Sequence, residues 1–342
     1  LCFKLSRLGL LLVYEPASVL THHESQSGEQ RFIKVTQNVQ RLHERWHGLV
    51  QADALIHSDG KLTWTEAACI RDYSLPEAPP APAGTTAGAR TSGMVSIVML
   101  TLNELEYTKQ CVASIQLYTP ELHEIVFVDN GSSDGTVAWL RDQAAHHAHY
   151  RLVENTNNEG FARGCNEGLA FARGEFALLL NNDVEVAEHW LSGLLECLTR
   201  TAGAGIVGPM TNHISGRQRI EGADYPGVAA LPAFAATWRA RHRHQRTFTP
   251  RVVGFCMLFR RSLLDTVGTL DERFGSGNFE DDDLCLRAEL AGYRNVLAGD
   301  VFVHHHGSRS FIGNGIDPRA AMTRNRALFL AKWHGPGARD SS

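Results

Sequence analysis

Three times between residues 95 and 183 a short apolar run stops on asparagine or aspartate. Residues 95–100 (VSIVML) run into Thr101-Leu102-Asn103, 125–128 (IVFV) into Asp129-Asn130-Gly131, and 176–180 (FALLL) into Asn181-Asn182-Asp183. Runs this short and this rich in branched side chains read as buried strands. Helical stretches lie between them. One carries Val112, Ile115 and Leu117 on its apolar side, one begins at 137–140, and one covers 164–172. Strands alternating with helices predict an α/β fold, a mostly parallel sheet with helices on both faces. In such sheets a ligand sits beyond the carboxyl ends of the strands, where the strand order reverses. All three polar clusters fall at that edge.

Composition narrows the class. With 43% apolar and 20% charged residues the chain reads as a soluble globular protein, and a net charge of −4 gives no reason to expect a nucleic-acid partner. Its seven cysteines are scattered and form no CxxC pair, so reduced thiols and a cytoplasmic setting are expected. No apolar run approaches the roughly 18 to 20 residues of a membrane-spanning helix. The chain opens on Leu1 without an initiator Met, as though cut from something longer.

The stretch 74–93 (SLPEAPPAPAGTTAGARTSG) has too little apolar surface to offset its ordering entropy and reads as a linker. It separates 1–73 from a complete domain at 94–335, with a tail at 336–342. The first part carries an internal echo of the second. With Leu1 set on Leu284, eight of 28 positions are identical, among them Gly9 on Gly292 and His22-His23 on His305-His306. After a four-residue offset Asn38 falls on Asn325 and Trp46-His47-Gly48 on Trp333-His334-Gly335. A partial copy of the domain's C-terminal part therefore precedes it, the remnant of a tandem protein whose N-terminal portion is missing.

Four segments in order carry a resemblance: VSIVMLTLNELEYTKQCVASI, VFVDNGSSDGT, NEGFARGCNEGLAFARGEFALLLNNDVEV and GNFEDDDLCLRAELAGY. Together they resemble glycosyltransferase family 2, most closely its rhamnosyltransferase-like bacterial members, over essentially all of 94–335. The resemblance implies a GT-A (Rossmann-like) fold and inverting transfer of a sugar, with rhamnose as a first guess. The donor is expected to be a dTDP- or UDP-sugar. It also implies a glycan or lipid-linked glycan acceptor in cell-surface polysaccharide synthesis, and peripheral work at the inner face of the membrane.

Site residues follow. A departing nucleoside diphosphate gains negative charge, which Mg²⁺ or Mn²⁺ held by oxygen ligands at a strand end would neutralise. The resemblance sets Asn181-Asn182-Asp183 on the family's DxD metal motif, with Asp183 as direct ligand; Asn181 replaces the first carboxylate and is a weaker, neutral ligand. Asp129 matches the position that accepts the imide N–H of uracil or thymine, with Thr101 and Asn103 nearby. Asn158 and Gly160 match the segment lying along the nucleotide. Arg163 reads equally as a phosphate contact or a solvated side chain, and Asp134 as a helix cap. In the run Glu280-Asp281-Asp282-Asp283, Asp281 matches the family's base, with Asp283 as its rival and Glu280 as a supporting or acceptor contact. Crowded like charges are expected to raise the pKa of the base. The resemblance sets a His at His305 close to metal and diphosphate. Side chains on a strand alternate, so His304, His305 and His306 cannot all face one way. Gly254-Phe255-Cys256, in a strand-like run VVGFCMLF, matches the donor-sugar or acceptor region. Arg309 and FIGNGID read as a lid, and WRARHRHQR as a solvated loop or a contact for an acidic or lipid-phosphate acceptor.

Two other functions compete. A sugar-phosphate nucleotidyltransferase needs a glycine-rich phosphate loop with a basic residue after the first strand, where this chain reads TLNELEY. A non-catalytic nucleotide-sugar or glycan binding module needs none of Asp183, Asp281 and His305, and all three are present.

Overall fold

The computed structural model describes residues 54–56, 62–64, 90–307 and 318–334. The chain divides into two compact units, Leu1–Ala52 and Asp53–Ser342. The first, and with it most of the proposed tandem remnant, lies outside the described residues, as do the lid residues at 308–317. At the start of the second unit β1 (Ala54–Ile56) and β2 (Leu62–Trp64) form an antiparallel pair.

The domain proper is built on strands β3 (Thr91–Thr101), β4 (His123–Asn130), β5 (Tyr150–Asn155), β6 (Gly174–Asn181), β8 (Ala204–Met210), β9 (Arg246–Phe248), β10 (Cys256–Arg260) and β11 (Arg294–Phe302). Their order across the sheet is β5-β4-β3-β6-β10-β8-β11-β9. β3, β4, β5 and β6 run parallel, as do β8 and β11, while β10 is antiparallel to both its neighbours and β9 to β11. The chain moves outward from β3 to β5 and then returns to β6 on the other side of β3, so the strand order reverses at β3. β3 also begins at Thr91, inside the stretch whose composition reads as linker, because Thr91 N–H bonds Arg173 O and the register recovers after a shift before Val95.

Both sheet faces are covered. Val95, Ile97 and Met99 of β3 join one core with Ile125 and Phe127 of β4 and Leu178 and Leu180 of β6, while Val98, Val126, Val128, Ala177 and Leu179 join the other. This is the two-residue alternation of a strand buried on both faces. Helices α1 (Leu105–Tyr118) and α4 (Trp190–Arg200) pack on the first face through Val112, Ile115, Trp190, Leu191 and Leu194. Between them in sequence come α2 (Thr136–His146) and α3 (Phe161–Phe171). α3 covers the second face with α6 (Arg261–Val267) and α7 (Glu280–Leu290), and α5 (Leu231–Arg241) packs beside β11 through Leu231 and Phe302. α8 (Pro318–His334) ends the described chain. The sequence reading starts α3 at Gly164; the helix begins at Phe161, three residues earlier.

α3 lies unusually close to the sheet. A Cβ placed on Gly168 would overlap Val98 Cγ1 and come within 2.9 Å of Val128 Cγ2. Neither valine has a flexible end to move aside. Gly168→Ala is therefore expected to destabilise by about 1–3 kcal/mol through overpacking, read as a lowered midpoint in thermal unfolding; an unchanged midpoint would mean that α3 can lift from the sheet without cost.

Candidate active site

Register brings the polar strand ends into one row. Thr101 lies opposite Asp129 across β3 and β4, and Leu100 lies opposite Asn181 across β3 and β6. Asp129 is wholly buried. Its Oδ2 accepts from Thr101 Oγ1 at 3.0 Å, and its Oδ1 from the amides of Gly131 (3.0 Å) and Ser132 (2.8 Å). The carboxylate thus organises a turn before it meets any ligand. Asn103, left-handed at φ 55°, closes the same turn: its amide donates to Ser132 Oγ at 2.7 Å, and its Oδ1 accepts from Ser133 N–H at 2.8 Å. Asp134 binds the first residues of two helices, accepting from Leu105 N–H, Thr136 N–H and Thr136 Oγ1. Burial works against its charge, but those hydrogen bonds outweigh it and hold the carboxyl below its ordinary value.

Asn158 and Gly160 are held by a residue to which the sequence reading gives no role. Asn130 Nδ2 donates to Asn158 Oδ1 (3.2 Å) and Gly160 O (3.0 Å), while Asn158 Oδ1 also accepts from Gly160 N–H at 2.9 Å. Arg163, open to either reading in the sequence, pairs with Glu167 on its own helix and with Glu159 just before it. Asn182 is buried, and its Nδ2 donates to Thr108 Oγ1 of α1 at 2.9 Å.

The short strands β7 (Val184–Glu185) and β12 (His304–His305) pair antiparallel and bring His305 opposite Val184, against Asp183. His305 Nε2 lies 3.2 Å from Asp183 Oδ1, each side chain 3% exposed. The other ring nitrogen, Nδ1, sits 2.7 Å from His213 O. A carbonyl oxygen can only accept, so the proton of the neutral ring belongs on Nδ1 and Nε2 presents a lone pair. That nitrogen makes no hydrogen bond. This buried nitrogen and carboxylate oxygen, 3.2 Å apart, form a two-donor set that a positive charge would satisfy, whether a proton on Nε2 or a bound cation. His304 and His306 point to the opposite side, their rings 4.5 Å apart, with Tyr225 OH on His304 and Glu185 Oε1 2.9 Å from His306 Nε2. Burial and the neighbouring His306 push His304 down to about 4.

The acidic run opens α7, where its charges complement the helix dipole. It is not a solvated face: Glu280, Asp281 and Asp283 are all buried. Asp281 Oδ2 accepts from Gly254 N–H at 3.0 Å, and its Oδ1 from Asp282 N–H at 2.9 Å. The adjacent Phe255 stacks on the His305 ring, centroids 5.1 Å apart at 20°, and its carbonyl accepts from Asn181 N–H at 2.9 Å. Gly254-Phe255 therefore links Asp281 to the Asp183–His305 pair. The sequence reading takes this dipeptide as part of one continuous strand; β10 starts only at Cys256.

Asp283, the expected rival of Asp281, is tied into the interior. Wholly buried, it holds Arg287 Nε at 2.9 Å, Lys332 Nζ at 2.6 Å and Trp333 Nε1 at 3.0 Å. Two carboxyls of the run carry upward pKa shifts. Burial, and then the charge of Asp281, push the Glu280 carboxyl well above its ordinary range. The same two causes push Asp282 up to about 7, with Arg251 opposing. Asp282 is flanked on α7 by Glu280, Asp281, Asp283 and Cys285, and faces Arg251 at 3.5 Å. Between about pH 4 and 7 the folded state binds the extra proton, so this group lowers stability as pH rises through that window. Asp282→Asn should gain more thermal midpoint over wild type at pH 8 than at pH 4.5; equal gains at both would contradict the shift.

Among the described residues no three His, Cys, Asp or Glu side chains gather around one point. The donor set at Asp183 is a pair, one carboxylate oxygen and one imidazole nitrogen. Such a pair fits a divalent cation whose remaining positions are filled by diphosphate oxygens and water. The basic stretch lies on the end of α5 and after it, with His242 stacked on Trp238 at 3.7 Å. His147 and His149 pack around Tyr150 beyond the end of α2.

The fold is similar to that of GalNAc-T7 solved with UDP, GalNAc and Mn²⁺, with a TM-score of 0.51 and 15% identity over 72% of this chain and 52% of that one. In sequence the chain is 31% identical over 227 residues to an uncharacterized protein, y4gI, of Sinorhizobium fredii, covering 64% of this chain and 25% of that protein's length. It is 27% identical over 277 residues to the N-acetylglucosaminyl-diphospho-decaprenol L-rhamnosyltransferase of Mycobacterium tuberculosis, covering 70% of this chain and 85% of that one. The family model for glycosyl transferase family 2 matches residues 96–268, which hold the strand-end row and Asp183 but stop short of the acidic helix and His305. With that match spanning half of the 342 residues, on a GT-A sheet whose polar strand ends meet where the strand order reverses, the chain belongs to glycosyl transferase family 2.

Proposed function

We propose that this domain is an inverting, cation-dependent transferase that moves a sugar from a dTDP- or UDP-sugar to a hydroxyl of a glycan acceptor. The observation that carries the reading is the link Asp281–Gly254-Phe255–His305–Asp183, which sets a base candidate beside a buried carboxylate–imidazole pair.

In this reading Asp183 and His305 hold Mg²⁺ or Mn²⁺, with Asn181 as a weaker neutral neighbour. When bound, the cation supplies charge against which the diphosphate leaves. The turn organised by Asp129, Thr101 and Asn103 receives the base, and the lone pair remaining on Asp129 Oδ2 accepts its imide N–H. Asn158 and Gly160 form the wall along the nucleotide. Asp281 takes the proton of the acceptor hydroxyl as that oxygen bonds to the anomeric carbon, and the nucleoside diphosphate departs with the electrons of the broken C–O bond. The hydrogen bond from Gly254 N–H keeps Asp281 aimed. Glu280 lies behind it as a supporting group.

The M. tuberculosis relative's name supports rhamnose and a lipid-linked acceptor as the first sugar and acceptor to try. No helix among the described residues is long and apolar enough to cross a membrane; peripheral work at the cytoplasmic face suits such an acceptor. Residues 1–73 belong, in the same reading, to the end of a preceding transferase copy. A longer transcript without transferase sequence ahead of Leu1 would remove that part. The enzyme reading is tested by thermal shift with dTDP, UDP and GDP in the presence of Mn²⁺. It expects stabilisation by dTDP or UDP that disappears in chelator, and equal response to all three would count against a base-reading turn.

A further inference from the structure

The acidic helix α7 is reached through a turn that does not hold itself. Its backbone is left-handed at Gly275 (φ 59°), Gly277 (116°), Asn278 (77°) and Phe279 (75°). Two successive non-glycine residues in that region persist only where the surroundings fix them. Phe279 is the N-cap of α7, so the last dihedral of the turn aims Glu280 and Asp281.

One side chain from α8 spans this turn. Asn325 is wholly buried, and its Nδ2 lies 2.6 Å from Phe274 O, 2.8 Å from Gly277 O and 3.1 Å from Asn278 O. A single amide group thus reaches the start and the left-handed centre of the turn. The opposite side is held by α3, whose Phe161 N–H donates to Gly275 O at 2.8 Å. Other residues of α8 reach the same region: Arg324 Nη2 donates to Arg273 O at 3.1 Å, Phe329 packs on the Phe279 ring, and Lys332 and Trp333 hold Asp283.

We propose that Asn325 is a positioning residue for the transfer: by holding the 274–279 turn left-handed it sets the start of α7, so that Asp281 stays on Gly254 N–H beside Phe255 and His305. The proposal rests on Asp281 being the base, and its test separates the two. In the full chain, amide hydrogen exchange at Gly254 and Asp282 is compared between wild type, Asn325→Ala and Trp333→Phe. Asn325→Ala should speed exchange at both amides about tenfold or more while Val98 and Phe127 keep their protection. Its kcat should fall about 100-fold, with the donor KM within about threefold, the loss expected of a misplaced catalytic group. Trp333→Phe, which costs stability through Asp283, should leave kcat within about threefold of wild type. Should Asn325→Ala fail to fold, Asn325→Ser, which keeps one donor, is read the same way. Unchanged exchange at Gly254 and Asp282, or a kcat loss no larger than that of Trp333→Phe at equal midpoint, would overturn the proposal. Faster exchange combined with full activity of Asp281→Asn would instead overturn Asp281 as the base, and with it any catalytic meaning for Asn325.

Discussion

Asp281→Asn is expected to lower transfer by about 10²- to 10⁴-fold, the range for losing a general base, while nucleotide binding stays within a few fold of wild type. Asparagine has nearly the same shape but cannot take the acceptor's proton. It also turns an N–H₂ toward one of the two amides that Asp281 accepts, from Gly254 and Asp282, so a modest drop in thermal midpoint should accompany the kinetic loss. The check is steady-state transfer with the fold monitored by thermal unfolding. Asp282→Asn in the same assay should remain active, since that carboxyl pairs with Arg251 and makes none of the contacts that link Asp281 to His305. Activity retained by Asp281→Asn and lost in Glu280→Gln would move the base by one residue.

Asp183→Ala is expected to cost about 10³-fold or more. A cation at a leaving diphosphate contributes several kcal/mol, and each 1.4 kcal/mol is a factor of ten. The removal has a second signature. With the carboxylate gone, His305 Nε2 keeps its lone pair but loses the charge that would hold a divalent ion beside it. Nucleotide should then stabilise the variant equally with and without Mn²⁺, whereas wild type should need the cation for full stabilisation. A variant that still shows Mn²⁺-dependent stabilisation would move the cation to other ligands.

The fold was legible where local chemistry and long-range pairing agree. The runs 95–100, 125–128 and 176–180 are apolar on both faces and end in residues that favour turns, so strand, end and edge could be read together. The pairing of Asp183 with His305 could not be read that way, because 122 positions separate them and only the β7–β12 ribbon joins them. It entered through resemblance. The surroundings of Asp283 were not legible either. Consecutive residues on a helix point about 100° apart, so four carboxylates in a row cannot address one site. Of the partners of Asp283, Arg287 lies one helical turn on, but Lys332 and Trp333 lie some fifty residues downstream and leave no local mark. Gly254-Phe255 was hidden inside an apolar run, where nothing signals that the ladder starts at Cys256. Asn130, Asn325 and the left-handed Asn278-Phe279 pair were silent because a buried asparagine and a turn asparagine have the same spelling.

The most direct measurement is release of free nucleotide from a panel of dTDP-, UDP- and GDP-sugars with Mn²⁺ or Mg²⁺, comparing wild type with Asp281→Asn and Asp183→Ala. The account predicts slow release from one dTDP- or UDP-sugar, lost in Asp183→Ala and in chelator and strongly reduced in Asp281→Asn. Release that survives chelator and both substitutions, or no release and no thermal stabilisation by any donor, would contradict it.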